Sequence, residues 1–196
     1  MPLSAIAVFC GARLGNRSEY ADAARELAYA LAERQLTLVY GGGGIGMMGT
    51  LASSVLERKG KVIGVIPKAL SEQEFAKGNL TELHRVDTMH QRKALMEKVS
   101  DWFIALPGGF GTLDELFEIA TWTQLGIHRK PIGLLNTCGF WDSLLEHVRR
   151  CIAEGFMAPD MANMMVVEST PNALLDRLAT HTPPKPVVKW TTPPVP

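Results

Sequence analysis

DWFIALPGGFGTLDE, residues 101–115, runs an apolar strand pattern into a glycine-rich turn and then into a helix pattern. The turn contains Gly108, Gly109 and Gly111, where the lack of side chains lets backbone N–H groups approach an anion closely. The N-terminal end of the following helix adds a partial positive charge. The stretch therefore predicts a phosphate-binding turn between a strand and a helix.

Thr112 and Glu115 in the same stretch also have a purely structural interpretation. Their spacing is that of a capping box, in which the two side chains bond to free N–H groups at the start of a helix. Helical periodicity, however, places Glu115 between Ile119 and Trp122, while Asp114 and Glu118 fall on the polar side. The sequence leaves both interpretations of Glu115 open, as a helix cap or as a partly desolvated carboxylate.

Strand and helix patterns alternate along the rest of the chain. The predicted strands cover residues 5–10, 37–40, 61–66, 102–106, 131–135 and 164–167, and the predicted helices cover 18–34, 46–59, 89–99, 112–125, 141–154 and 171–179. This alternation is typical of an α/β, Rossmann-like fold, a parallel sheet with helices on both faces and ligands beyond the carboxyl ends of the strands. We expect one domain over residues 1–180. Residues 181–196 are rich in proline and predict a solvated, extended and flexible tail.

Composition favours a small-molecule partner. Lys plus Arg and Asp plus Glu both number 20, and the basic residues are scattered, so we expect no binding to nucleic acid or to an anionic membrane. Three cysteines and a start without a leader pattern predict a reduced, cytoplasmic protein. The five histidines have no metal-ligand spacing, so we expect no metal site.

A second glycine-rich loop, YGGGGIGMMG at residues 40–49, contains Gly42, Gly43, Gly44 and Gly46. It matches the dinucleotide fingerprint formally, but the next strand ends in VIPK without the acidic residue that holds the ribose of NAD. It also lacks the lysine of a triphosphate-binding P-loop. With NAD and triphosphates disfavoured, the two glycine loops suit a nucleotide with a single phosphate. For the loop at residues 40–49, close helix–strand packing is an alternative to ligand binding.

Arg92 projects from the middle of an apolar stripe on the helix predicted over 89–99. A guanidinium on an apolar face is costly unless it meets an anion such as a carboxylate or a phosphate. Arg92 is therefore a candidate for ligand binding, and a structural ion pair is the alternative.

Three motifs in order resemble one known family. They are YGGGGIGMMG at 40–49, MHQRK at 89–93 and PGGFGTLDE at 107–115. Together they resemble the Lonely Guy (LOG) family, the cytokinin riboside 5'-monophosphate phosphoribohydrolases, over roughly residues 6–157. Members of this family have often been labelled lysine decarboxylases, but nothing else in the chain indicates a pyridoxal phosphate site, and we expect no cofactor.

The resemblance implies hydrolysis of the N-glycosidic bond of a purine nucleoside monophosphate, giving a free base and ribose 5-phosphate. It implies a catalytic pair, Arg92 and Glu115, and a set of substrate-binding residues: Glu74, Arg92, Lys93, Gly108, Gly109, Gly111, Thr112 and Thr121. Ala12 departs from the serine that the family commonly has at this position. The resemblance also implies a homodimer. A non-catalytic nucleotide carrier or sensor is the alternative function.

Overall fold

The computed structural model describes residues 5–70 and 80–186. Its strands are β1 Ala5–Phe9, β2 Thr37–Tyr40, β3 Val62–Pro67, β4 Glu82–Val86, β5 Trp102–Ala105, β6 Ile132–Leu135 and β7 Met165–Glu168. Its helices are α1 Ser18–Glu33, α2 Gly46–Glu57, α3 Met89–Lys98, α4 Phe110–Leu125, α5 Asp142–Ala153 and α6 Pro171–Thr180. Two short 3-10 helices, Thr137–Gly139 and Pro159–Asn163, complete these elements. No helix in the described ranges is long and apolar enough to cross a bilayer.

The strands form one parallel sheet of seven strands in the order β4-β3-β2-β1-β5-β6-β7. The chain moves outward from β1 to β4, then crosses back to place β5 on the other side of β1. Strand order therefore reverses between β1 and β5, and the carboxyl ends of these two strands border a crevice in folds of this type. The predicted Rossmann-like α/β fold is confirmed.

Apolar side chains bury both faces of the sheet. On one face, Leu27 and Leu31 of α1 and Leu51 of α2 pack against the strands. On the other face, Met96 of α3 and Leu116 of α4 do so. Because both faces are covered, the strands read as continuous apolar runs, which is why their sequence pattern was strong.

Strand β4 was missing from the sequence-based prediction. Its sequence is ELHRV, and its residues are exposed or half-buried. It lies at the edge of the sheet, and among the described residues it pairs with β3 alone, from Glu82 opposite Ile63 to Val86 opposite Pro67. An edge strand can carry charged residues because one side faces water, so its apolar pattern is weak.

Of the two interpretations of Glu115, the capping box is wrong. Helix α4 begins at Phe110 with Gly109 as its N-cap, two residues before the expected start at Thr112, and no side chain caps it. Thr112 therefore lies inside the first turn. Glu115 instead pairs with Arg92 of the neighbouring helix.

The first residues of the proline-rich segment contact the domain. Residues 181–186 have no helix or strand, as expected, but Pro183 is buried. Arg129 Nη2 donates a hydrogen bond of 2.8 Å to the Pro183 carbonyl. This part of the segment is therefore packed rather than fully solvated, and residues 187–196 lie outside the described residues.

Candidate functional site

A cavity of about 490 Å³ opens at the carboxyl ends of β1 and β5, where the strand order reverses. Cys10 and Gly11 follow β1 into the cavity wall, and residues 107–112 follow β5 into it. Arg92 of α3 and Glu115 of α4 supply its charged side chains together with Arg13. The cavity is large enough for a small organic ligand.

Backbone hydrogen bonds join the two segments that leave β1 and β5. Leu106 N–H donates to the Phe9 carbonyl at 2.9 Å, and Gly11 N–H donates to the Pro107 carbonyl at 3.1 Å. A Cβ on Gly11 would lie 3.4 Å from Gly108 Cα. The close approach of these segments holds the glycine-rich turn in place above the sheet.

The glycine-rich turn presents free donors to the cavity. The first N–H groups of a helix have no intrahelical partner, and no side chain caps α4. A Cβ added to Gly109 or to Gly111 would meet nothing within 4 Å, so both positions face open space. Thr112 Oγ1 is buried and has no hydrogen-bond partner among the described residues. The turn therefore fits the predicted anion-binding role.

Arg92 and Glu115 form a buried ion pair in the cavity wall. Arg92 Nη1 lies 2.9 Å from Glu115 Oε1, and the two side chains are only 12% and 7% exposed. Arg92 Nε also donates to the Val65 carbonyl at 3.2 Å. Both residues that the resemblance implies as a catalytic pair are thus in contact and face the cavity.

Burial raises the pKa of the Glu115 carboxyl above its ordinary value, and the Arg92 guanidinium opposes this shift. The site therefore contains a carboxylate that is costly to ionise and is held beside a cation. Carboxylates in such settings are candidates for functional groups.

Cys10 also lines the cavity but is a poor nucleophile. Burial, with a smaller contribution from the charge of Glu115, raises the pKa of its thiol far above the ordinary range. The thiolate is the reactive form, so Cys10 stays protonated and inert.

Two of the remaining predicted substrate-binding residues, Lys93 and Thr121, do not line the cavity. Lys93 is buried, and its Nζ binds Asp114 and Glu118, both at 3.1 Å. Thr121 is exposed on α4 and, like Lys93, is not among the described residues that line the cavity. Glu74 lies outside the described residues.

The glycines predicted in the first loop pack against the protein instead of lining the cavity. A Cβ on Gly42 would lie 2.8 Å from Ile66 Cβ, and one on Gly43 would lie 2.8 Å from Met48 Cε. A Cβ on Gly46 would lie 2.1 Å from the Ala12 carbonyl oxygen. A Cβ on Gly49 would lie 2.4 Å from the Gly44 carbonyl oxygen. These contacts favour the packing alternative for Gly42, Gly43 and Gly46.

Sequence reasoning missed several residues of the cavity wall. Gly41 lines it, and a Cβ there would lie 1.9 Å from Arg92 Nη2, so only glycine leaves room for the guanidinium. Tyr20 and Phe140 also line it, with their rings edge to face at 5.9 Å. Gly41 could have been suspected because it directly follows β2, but nothing in the sequence indicates that Tyr20 meets Phe140.

Comparisons with known proteins establish the family. A family model described as "Possible lysine decarboxylase" matches residues 48–178. The chain is 48% identical over 180 residues to cytokinin riboside 5'-monophosphate phosphoribohydrolase LOG2 of Arabidopsis thaliana, covering 91% of this chain and 84% of that protein. The chain belongs to the Lonely Guy family. A probable family member of Oryza sativa subsp. japonica, LOGL3, is also 48% identical, over 90% of this chain and 83% of its own length.

Solved structures with the same fold are more distant in sequence. A molybdenum cofactor binding protein from Rippkaea orientalis has a TM-score of 0.70 at 20% identity, covering 92% of this chain and 98% of that chain. The molybdenum cofactor carrier protein of Chlamydomonas reinhardtii has a TM-score of 0.69 at 18% identity, covering 91% and 99%. At these identities the likeness concerns the fold alone.

The decarboxylase description of the family model has no support in the cavity. Pyridoxal phosphate enzymes attach the cofactor to a lysine as a Schiff base. No lysine lines the cavity among the described residues.

Proposed function

We propose that this protein hydrolyses the N-glycosidic bond of a nucleoside 5'-monophosphate, either a cytokinin riboside monophosphate or AMP, to a free base and ribose 5-phosphate. The observation that carries the proposal is the buried Arg92–Glu115 pair, which faces a cavity beside an uncapped glycine-rich helix start. Close relatives named as phosphoribohydrolases of cytokinin riboside 5'-monophosphate support the same activity.

The glycine-rich turn is the proposed phosphate site. Gly109 and Gly111 leave space in front of the free N–H groups of α4, and Thr112 Oγ1 is a buried hydroxyl without a partner among the described residues. A phosphate at a helix N-terminus gains both hydrogen bonds and the helix dipole. Binding there would anchor the ribose and direct its anomeric carbon toward Glu115.

Glu115 is the proposed catalytic carboxylate. Breaking a ribosyl bond builds positive charge on the sugar, as in glycoside hydrolysis. A carboxylate beside the anomeric carbon stabilises this charge or orients the attacking water. Burial strengthens the effect because water does not screen the charges inside the cavity.

Arg92 is proposed to position Glu115 and the substrate. Its Nε is held by the Val65 carbonyl and its Nη1 by Glu115. The guanidinium therefore fixes the direction of the carboxylate and keeps a positive charge near the phosphate and the base. Lys93 and Thr121, which the resemblance also implies as substrate contacts, do not line the cavity in the described residues.

A cytoplasmic homodimer is the proposed working form. Phe117 and Leu125 are 39% and 52% exposed on α4, two turns apart on one side of the helix, with Thr121 between them. An exposed apolar face suits a contact with a second copy. Trp122, by contrast, packs against the core. Sedimentation velocity at micromolar concentration tests this proposal, and a single monomeric species would contradict it.

Turnover is the direct test of the proposed function. Purified protein is incubated separately with AMP and with isopentenyladenosine monophosphate, and the free base is measured by chromatography. We expect release of base from at least one of them. Tight binding of either nucleotide without release would instead support the alternative, a nucleotide carrier or sensor, and tighter binding of NAD than of AMP would contradict our interpretation of the first glycine loop.

Glu115→Gln separates catalysis from folding. Glutamine keeps the shape and can still accept a hydrogen bond from Arg92, so the melting temperature should stay near that of the wild type. Without the carboxylate, the rate should fall by about 100- to 10,000-fold, the range typical of acid–base groups. Glu146→Gln is the matched control, because it removes the same charge from an exposed ion pair with Arg149 that does not line the cavity. Equal losses in both variants would remove Glu115 from the mechanism.

A further inference from the structure

Methionine sulfur lies beside the guanidinium of Arg92. Met89 Sδ is 3.9 Å from Arg92 Nη1. A Cβ on Gly41 would lie 1.9 Å from Arg92 Nη2 and 3.2 Å from Met48 Sδ, so a second thioether lies near the same group. The cation that pairs with Glu115 therefore has oxidisable side chains as neighbours.

The two methionines differ in their access to solvent. Among the methionines of residues 5–70 and 80–186, Met89 alone is exposed, at 41%. Met48 is half-buried in the cavity wall, and Met89 is not among the residues that line the cavity. A small oxidant in solution therefore reaches the Met89 sulfur more readily, without entering the cavity.

The start of α3 fixes the position of Met89 relative to Arg92. Thr88 is the N-cap, and its Oγ1 accepts a hydrogen bond of 3.1 Å from the Gln91 N–H. The Gln91 side chain in turn accepts a bond of 2.8 Å from the Asp87 N–H. Met89 is the first residue of the helix, and residues three apart lie on the same helical face. The capped helix start therefore holds the thioether against the guanidinium.

The bonds of Arg92 leave Nη1 open to a competing acceptor. Arg92 Nε donates to the Val65 carbonyl at 3.2 Å, and Nη1 lies 2.9 Å from Glu115 Oε1. A thioether is a weak acceptor, so Met89 competes little with Glu115 for Nη1. A sulfoxide is polar, and its oxygen carries partial negative charge. An oxygen that pointed from this sulfur toward Nη1 would lie closer than an ordinary hydrogen bond, so the guanidinium would have to turn.

We propose that Met89 is an oxidation site, at which a hydroperoxide such as hydrogen peroxide forms a sulfoxide whose oxygen binds Arg92 and draws its guanidinium out of line with Glu115. The loss of activity that follows rests on the proposed function, whereas the modification and the movement of Arg92 do not.

The oxidation step is balanced by the peroxide alone. The Met89 sulfur attacks one peroxide oxygen, an S–O bond forms and the O–O bond breaks. The leaving hydroxide takes the proton of the transferred hydroxyl group and becomes water. Sulfur is oxidised by two electrons and the peroxide is reduced, and methionine sulfoxide reductases reverse the change.

The first test follows oxidation and turnover together. The wild type is treated with hydrogen peroxide, quenched with catalase and reduced with dithiothreitol, which reverses sulfenic acids and disulfides at Cys138 and Cys151 but not methionine sulfoxide. Peptide mass spectrometry measures the added oxygen at each methionine. We expect kcat/KM for base release to fall by about tenfold or more as the Met89 sulfoxide accumulates, because a small displacement of a site group is costly. Methionine sulfoxide reductase should restore both.

Two leucine variants identify the methionine responsible. Met89→Leu keeps the apolar volume and removes the sulfur, so it should release base normally and resist peroxide. Met48→Leu is the matched comparison and should lose the same fraction of its activity to peroxide as the wild type. Inactivation of Met89→Leu at the wild-type rate, or protection in Met48→Leu alone, would overturn the inference. Intact Met89 in a sample that peroxide has inactivated would overturn it as well.

Titration of the Glu115 carboxyl by ¹³C NMR, with labelled glutamate and no nucleotide, gives a readout independent of turnover. The signal is assigned by its absence from Glu115→Gln. Arg92 lowers the pKa of Glu115, so displacement of the guanidinium should raise this pKa in the oxidised wild type and leave it unchanged in peroxide-treated Met89→Leu. If the wild type releases no base, the proposed function fails, while this rise still supports the inference. An unchanged Glu115 pKa with Met89 fully oxidised would contradict it.

Discussion

The two glycine-rich loops of this protein look alike in sequence and differ in what surrounds them. Both follow a strand and open a helix, β2 to α2 and β5 to α4. In the first loop, a Cβ at Gly43 or Gly46 would collide with a side chain or with main chain. In the second, a Cβ at Gly109 or Gly111 would meet nothing within 4 Å.

The difference teaches that a glycine can be required for two separate reasons. In the first loop, glycines let the protein approach itself, and the formal match to a dinucleotide fingerprint there reflects packing of α2 against neighbouring segments. In the second loop, Gly109 and Gly111 leave room for something that is not protein, whereas Gly108 packs against Thr112 and Gly11. Gly41 belongs to neither group fully, because it makes room for Arg92, a side chain of the candidate site.

Among the glycine variants, Gly41→Ala should have the largest effect on activity. The new Cβ would overlap the place of Arg92 Nη2, at 1.9 Å, and the flexible guanidinium must move away from Glu115. Misplacement of a site group by about 1 Å can cost roughly 100-fold in rate, and we expect a loss of this order in kcat/KM. The measurement is base release from the preferred nucleotide, with circular dichroism to check the fold.

The matched control for this variant is Gly133→Ala. Its Cβ would also press on flexible side-chain ends, Leu174 Cδ1 and Leu178 Cδ1 at 3.0 and 2.9 Å, but in the core under α6. We expect a lower melting temperature with turnover retained. Equal loss of turnover in both variants would show that Gly41 acts through general packing and would break the distinction between them.

Gly46→Ala should reduce stability. Gly46 has φ of 62°, and a Cβ would lie 2.1 Å from the main-chain oxygen of Ala12, which cannot move as a side chain can. The left-handed conformation alone costs a non-glycine residue about 1–2 kcal/mol. A domain of this size then melts about 2–8 °C lower. An unchanged melting temperature in a thermal scan would argue against the packing role of the first loop.

Gly111→Ala should keep or raise stability and weaken nucleotide binding, and its effect should be the smallest among the glycine variants. The position is helical and open, and replacing a helical glycine by alanine stabilises by about 0.5–1 kcal/mol, so the melting temperature should hold or rise. The methyl group would enter the proposed phosphate site and weaken AMP binding about tenfold, as for a clash of ~1.4 kcal/mol. Calorimetry with AMP measures this, and unchanged affinity would place the phosphate elsewhere.

Sequence patterns predicted most elements because most strands are buried on both faces and read as apolar runs. They failed at β4, where the edge position permits charged residues such as Glu82 and Arg85. They also placed the start of α4 two residues late, at Thr112 instead of Phe110. In a capping box, side chains accept hydrogen bonds from the first N–H groups of the helix. Here the first turn of α4 faces the cavity, and Glu115 forms an ion pair with Arg92.

The sequence by itself determined the fold class and predicted a glycine-rich turn for an anion, because these depend on periodicity and on local backbone chemistry. Periodicity also singled out Arg92 and Glu115, which the family resemblance implies as a catalytic pair. Tertiary structure decided which charges meet. Arg92 and Lys93 are adjacent in the chain, yet one binds Glu115 in the cavity wall and the other binds Asp114 and Glu118 beside it. Such pairing depends on how α3 and α4 pack across the sheet face, and no local pattern encodes that relation between two segments distant in sequence.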